Sequence, residues 1–114
     1  MRRYKMNKSA EEKIGELQTI EQNLQRFLTQ KQQFQTQIAE LDNATKELVD
    51  SKEAHRIIGN IMVQVDKKKL QGELKEKKEM FDLRLKSVEK QEQNMRENAD
   101  ILQKEVMEEL SKKK

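Results

Sequence analysis

One dipeptide near the middle of the chain, Gly59-Asn60, limits what the rest can do. It separates two β-branched runs inside the stretch Glu53 to Asp66, which ends Ile57-Ile58 on one side and begins Ile61-Met62-Val63-Gln64-Val65 on the other. A two-residue loop of this type closes a tight β-hairpin. Pairing about the loop sets Ile58 opposite Ile61, Arg56 opposite Val63 and Ala54 opposite Val65. Alternation then puts Ile58, Ile61, Val63 and Val65 on one face, with Ile57 and Met62 on the other. An isolated two-stranded hairpin is marginal in water, and both its edges offer unpaired N–H and C=O groups. This hairpin needs partners.

On either side the period changes from two to seven. After Ser9-Ala10-Glu11-Glu12, which has the form of a capping box, one heptad position reads Leu17, Leu24, Lys31, Ile38, Thr45. Its companion reads Ile20, Phe27, Phe34, Leu41, Leu48, so only Lys31 and Thr45 break the apolar pattern. Beyond the hairpin, Asp66 is placed to cap a second helix, although Lys67-Lys68-Lys69 suits its first turn poorly on dipole grounds. There Leu74, Phe81, Val88, Met95 and Leu102 form an unbroken series. The companion positions Gln71, Lys78, Leu85, Glu92, Ala99 and Val106 are mixed. Sustained heptads of this kind predict a coiled coil. Gly15 weakens the start of the first helix by about 1 kcal/mol relative to Ala.

The two frames are commensurate across the hairpin. Antiparallel pairing of Leu17 with Leu102 carries through Ile20–Ala99, Leu24–Met95, Phe34–Leu85 and Ile38–Phe81, and ends at Leu48–Gln71. The expected fold is therefore mainly α: a long antiparallel two-helix coiled coil joined by one β-hairpin. The predicted organisation is a basic tail over 1–8, helix over 9–52, hairpin over 53–66, helix over 67–111 and a lysine tail over 112–114. Each helix would extend roughly 65–70 Å. Lys31, Lys78 and Glu92 are the polar intruders; Lys31 and Glu92 either pair diagonally across the seam or reach to solvent.

Ile14, Ile101, Met107 and Leu110 fall outside the seam, and Val106 would face Lys13. All lie in the terminal turns farthest along the chain from the hairpin. They read either as ordinary end residues or as an apolar surface that contacts another protein. Met80 and Leu83 are also off the seam, with no role visible in the sequence.

Composition excludes much else. Of 114 residues 39% are charged and 33% hydrophobic, against roughly 25% charged and 45–50% apolar, Gly included, in an ordinary globular domain. A core of normal depth is not expected. The net charge of +3 is too small, and too evenly mixed with acids, to point to nucleic acid, and Glu11, Glu12 and Glu16 interrupt any basic helix that begins at residues 2–8. No apolar run is long enough for a membrane span. Met1-Arg2-Arg3-Tyr4-Lys5-Met6 lacks the apolar region of a secretory signal. The chain contains no Cys, which suits a cytoplasmic location. His55 is the only histidine, and no catalytic, cofactor-binding or metal-ligating pattern is present. An enzyme is not expected.

The stretch Gly59-Asn60-Ile61-Met62-Val63-Gln64-Val65-Asp66-Lys67, with Glu73-Leu74-Lys75-Glu76-Lys77, Leu83-Arg84-Leu85-Lys86 and Glu89-Lys90-Gln91-Glu92 behind it, resembles the β-type subunit of prefoldin, above all archaeal versions. Leu24-Gln25, Gln30-Lys31-Gln32, Glu40-Leu41 and Glu47-Leu48 agree with that family's first helix. The basic start and Lys112-Lys113-Lys114 depart from it. The resemblance implies an ATP-independent chaperone subunit in a hexamer of two α-type and four β-type chains, whose hairpins close intersubunit β-barrels. It also implies coiled-coil tips that hold unfolded polypeptides and pass them to a group II chaperonin. On this basis Ile57, Ile58, Gly59, Asn60, Ile61, Val63 and Val65 are the expected assembly residues. Ile14, Leu17, Ile101, Leu102, Val106, Met107 and Leu110 are the expected client-binding residues. Glu105, Glu108 and Glu109 either help to dock a chaperonin or are solvated helix surface. A structural or nucleic-acid-associated coiled coil without chaperone activity is the competing expectation; it accounts for the heptads but not for the hairpin.

Overall fold

The computed structural model describes residues 9–112. Residues 1–8 and the last two lysines lie outside it, so the predicted basic start and most of the lysine tail are not among the described residues. In chain order the elements are helix α1 (Ala10–Asp50), strands β1 (Ala54–Ile58) and β2 (Ile61–Val65), and helix α2 (Lys67–Lys112). The two long helices flank a single two-stranded antiparallel hairpin. This is the expected fold class; closure of a barrel would need strands from other chains.

Local chemistry sets the helix ends. The Ser9 hydroxyl accepts a hydrogen bond from the Glu12 amide at 3.2 Å, and the Ser9 carbonyl accepts from the Lys13 amide at 3.0 Å. Ser9 is thus the N-cap of α1. At the other end α1 stops at Asp50, short of Lys52, in a final turn where the Ser51 amide donates to the Leu48 carbonyl at 3.3 Å. No glycine cap is available there. Lys67 acts instead: its ammonium donates to the carbonyls of Val49 (3.1 Å) and Ser51 (2.7 Å). The first residue of α2 therefore satisfies one carbonyl in the last turn of α1 and one just beyond its end. The Asp66 carbonyl begins α2 by accepting from the Leu70 amide at 3.0 Å.

The chain divides into two compact units, and both helices run through both. In the hairpin unit, Lys31–Ser87, the seam positions Phe34, Ile38, Leu41, Leu74, Phe81 and Leu85 are half-buried and Leu48 is buried. The Phe34 and Phe81 rings lie 6.0 Å apart at 39°, a tilted pair that knits α1 to α2. Thr45, the one exposed seam position, turns its hydroxyl back to the Leu41 carbonyl at 2.8 Å. Lys78 leaves the seam to meet Asp42 at 2.7 Å. Hydrogen bonding to Asp42, then its negative charge, holds the ammonium above its ordinary pKa, against a small opposing effect of burial.

In the terminal unit, the described residues up to Gln30 together with Val88 onward, the seam continues. Leu17, Ile20, Leu24, Phe27, Met95, Ala99 and Leu102 are half-buried; Ala10, Val88 and Val106 are buried. Glu92 does not extend to solvent, one of the two options the sequence left open. It is 7% exposed, and its carboxylate accepts a hydrogen bond from Arg96, one turn on, at 3.2 Å.

Candidate functional site: two apolar surfaces

The hairpin has the register that its turn dictates. Ala54 pairs with Val65, Arg56 with Val63 and Ile58 with Ile61. Gly59 sits at φ +59°, the left-handed conformation that this turn requires and that glycine adopts without strain. At the base, Ala54 is buried, Val65 is half-buried and Arg56 forms an ion pair with Glu73 of α2, anchoring that end to the helix. Toward the turn the apolar side chains stand free. Ile57 is 70% exposed on one face and Ile61 66% on the other, and Ile58, Met62 and Val63 are exposed with them. Gly59 and Asn60 are exposed at the turn. Burial of side chains this large against a partner stabilises by about 1.5–3 kcal/mol each. Met62, paired with Ile57 on the same face, belongs with this set by exposure, although it was not among the expected assembly residues.

The terminal unit holds the second surface. Ile14, Ile101, Met107 and Leu110 are exposed, and Leu17 and Leu102 are half-buried. Val106 is different: it is only 7% exposed, within the seam. Lys13, which the pairing register sets opposite Val106, lies 3.6 Å from Glu105 and 3.9 Å from Glu109. Two of the three carboxylates considered for chaperonin docking are therefore engaged inside this unit. The apolar residues line several grooves. Ile101 and Leu102 line a groove of about 770 Å³ with Gly15 and Ile20. Ile14 and Leu17 line another of about 430 Å³ with Leu24 and Ala99. Met107 borders a third recess with Lys104. Ile20, shared by the first two grooves, and Gly15 were hidden in the sequence, one as a seam residue and the other as a helix weakener.

Met80 and Leu83 are exposed on α2 of the hairpin unit, and Met80 borders a shallow recess with Leu41 and Phe81. Among the described residues no group of His, Cys, Asp or Glu could hold a metal ion. His55 is exposed and 3.9 Å from Glu53. No helix among the described residues is long and apolar enough to cross a membrane.

Two long helices that share a heptad seam, with an apolar open-edged hairpin between them, define a subunit made to be completed by other chains. The chain belongs to the prefoldin family: the model for that family, described as prefoldin subunit, matches residues 11–113. It is 33% identical over 102 residues to a prefoldin subunit beta of Sulfurisphaera tokodaii, covering 87% of this chain and 82% of the relative. It is also 33% identical over 87 residues to one of Archaeoglobus fulgidus, covering 74% and 75%. The crystal structure of the prefoldin beta subunit from Thermococcus strain KS-1 superposes with a TM-score of 0.81 at 28% identity, over 87% of this chain and 90% of that one. The similarity is thus to β-type subunits of archaea. Membership makes this chain a prefoldin chaperone subunit, of a family whose subunits are chaperones and not enzymes, and implies a hetero-oligomer with other prefoldin subunits.

Proposed function

We propose that this chain works in the cytoplasm as one of four β-type subunits around two α-type subunits, holds unfolded polypeptides without ATP, and passes them to a group II chaperonin. The observation that carries this reading is the pair of exposed apolar surfaces, one on each compact unit. The hairpin residues Ile57, Ile58, Gly59, Asn60, Ile61, Val63 and Val65 supply assembly, because the sheet has only two strands and so two open edges. Ile14, Ile101, Met107 and Leu110 supply client contact, with Leu17 and Leu102 at the groove walls. Val106 adds to client contact only when the turns around it loosen. Several weak apolar contacts on several subunits give avidity, and pliable Met and branched side chains repack around different sequences.

The test uses the particle assembled with an α-type partner and carrying Ile101→Ser, Met107→Ser and Leu110→Ser. These side chains are exposed, so assembly and helix content should persist. Suppression of the aggregation of a chemically denatured protein should fall several-fold. Suppression at the wild-type level would sink the client-binding assignment. A chain that remains monomeric at high concentration beside its α-type partner would sink the assembly assignment.

A further inference from the structure

We propose that Met107 is an oxidation site at which peroxide reversibly lowers client holding. The proposal rests on the client-holding reading above and names a chemical control of that surface. The chain contains no Cys, so within it a two-electron oxidant meets thioethers and no competing thiol. The described methionines stand in different surroundings. Met95 is half-buried in the seam, and Met80 borders the recess beside Leu41 and Phe81. Met62 is 66% exposed, but it lies on the hairpin that the assembly reading covers. Met107 is 64% exposed and lies in the terminal unit with Ile101 and Leu110. Its sulfur is thus open on a surface proposed for clients rather than for assembly.

The surroundings of Met107 favour a change of chemistry without a change of fold. A helical side chain leans over the preceding turn. Here that turn carries Gln103 and Lys104, which line a recess with Met107, Asp100 and Glu108. In the reaction the sulfur lone pair attacks one oxygen of hydrogen peroxide, a sulfur–oxygen bond forms, the O–O bond breaks and water leaves. Sulfur loses two electrons and the peroxide gains them. The new oxygen is a strong acceptor, and the Gln103 amide and the Lys104 ammonium on the preceding turn can donate to it. The helix therefore accommodates its oxidised side chain, whereas the apolar contact offered to a client becomes polar. Met95 is the reverse case, since a sulfoxide there would put a polar group into the seam beside half-buried Leu24.

The experiment uses the particle assembled with an α-type partner, treated briefly with dilute hydrogen peroxide that is removed before client is added. Each particle is compared with its own untreated form. Peptide mass mapping should find sulfoxide at Met107 while Met95 is still reduced. Particle mass and helix content should persist, and suppression of the aggregation of a chemically denatured protein should fall several-fold. Methionine sulfoxide reductase should restore it. A particle carrying Met107→Leu should hold as much after peroxide as before it, and Met107→Gln should hold several-fold less than wild type with no oxidant at all. An equal loss in the Met107→Leu particle, a loss that the reductase does not reverse, or no loss once Met107 is oxidised overturns the proposal and leaves client holding intact. So does a sulfoxide that forms first at Met95, or a particle whose mass falls on treatment. Untreated wild type that suppresses no aggregation overturns client holding itself.

Discussion

Lys67 shows how one side chain can serve two elements at once. Its charge opposes the dipole at the start of α2, yet the ammonium bonds to the Val49 and Ser51 carbonyls at and just past the end of α1, where positive charge is favoured. Lys67→Met should destabilise the chain by about 1 kcal/mol, since two charge-assisted hydrogen bonds are lost from a partly exposed site and an unfavourable N-terminal charge goes with them. Lys68→Met at the next position should stay within about 0.5 kcal/mol of wild type. Thermal melts of the two variants check this, and equal melting temperatures would remove the capping role. The sequence shows three lysines in a poor place and nothing more. The acceptors are main-chain carbonyls in a different element, and a carbonyl has no residue identity to read. Gly59 is the opposite case, since a positive φ at a two-residue turn leaves its mark in residue choice.

At the scale of elements, the heptads were legible because burial follows period. Every seam position from Leu17 to Val106 is buried or half-buried except Thr45. Glu92 was legible only in part: the sequence allowed it to pair within the seam or to reach water, and its partner Arg96, one turn on, looks like any surface charge. Lys78 is a polar seam residue that does leave the seam, and it carries a pH signature. Its folded-state pKa is raised by Asp42. Stability from the pair is therefore fully present below the unfolded-state value and is lost as pH climbs through the higher folded-state value. Melting temperatures between about pH 9 and about pH 12 should fall more for wild type than for Lys78→Met. Parallel curves would show that the ion pair contributes nothing to the helix pairing, which is the common outcome for exposed pairs.

Little is buried along the chain. Among the described residues the buried apolar ones are Ala10, Leu48, Ala54, Val88 and Val106, and no large side chain there is completely covered. A two-helix seam cannot enclose its residues on all sides, so other subunits must supply what the isolated chain lacks. Apparent stability should rise with protein concentration and with addition of an α-type partner. Ile58→Ser with Ile61→Ser should abolish that rise while leaving the dilute chain's melting temperature nearly unchanged, because both side chains are exposed before assembly. Sedimentation and melting curves across a concentration series report both effects. An unchanged rise in the double variant would place the interface elsewhere. The sequence made the need for partners visible through the unfinished hairpin, but which chains answer it is written in those chains.

The hairpin's two open edges have a consequence for the cell. A copy made in excess of its partners presents bare strand edges flanked by isoleucine, the surface on which unfinished proteins cluster. Synthesis of this chain must therefore be matched to that of its companions. An orphaned copy would itself be a polypeptide with an unfinished, adhesive edge.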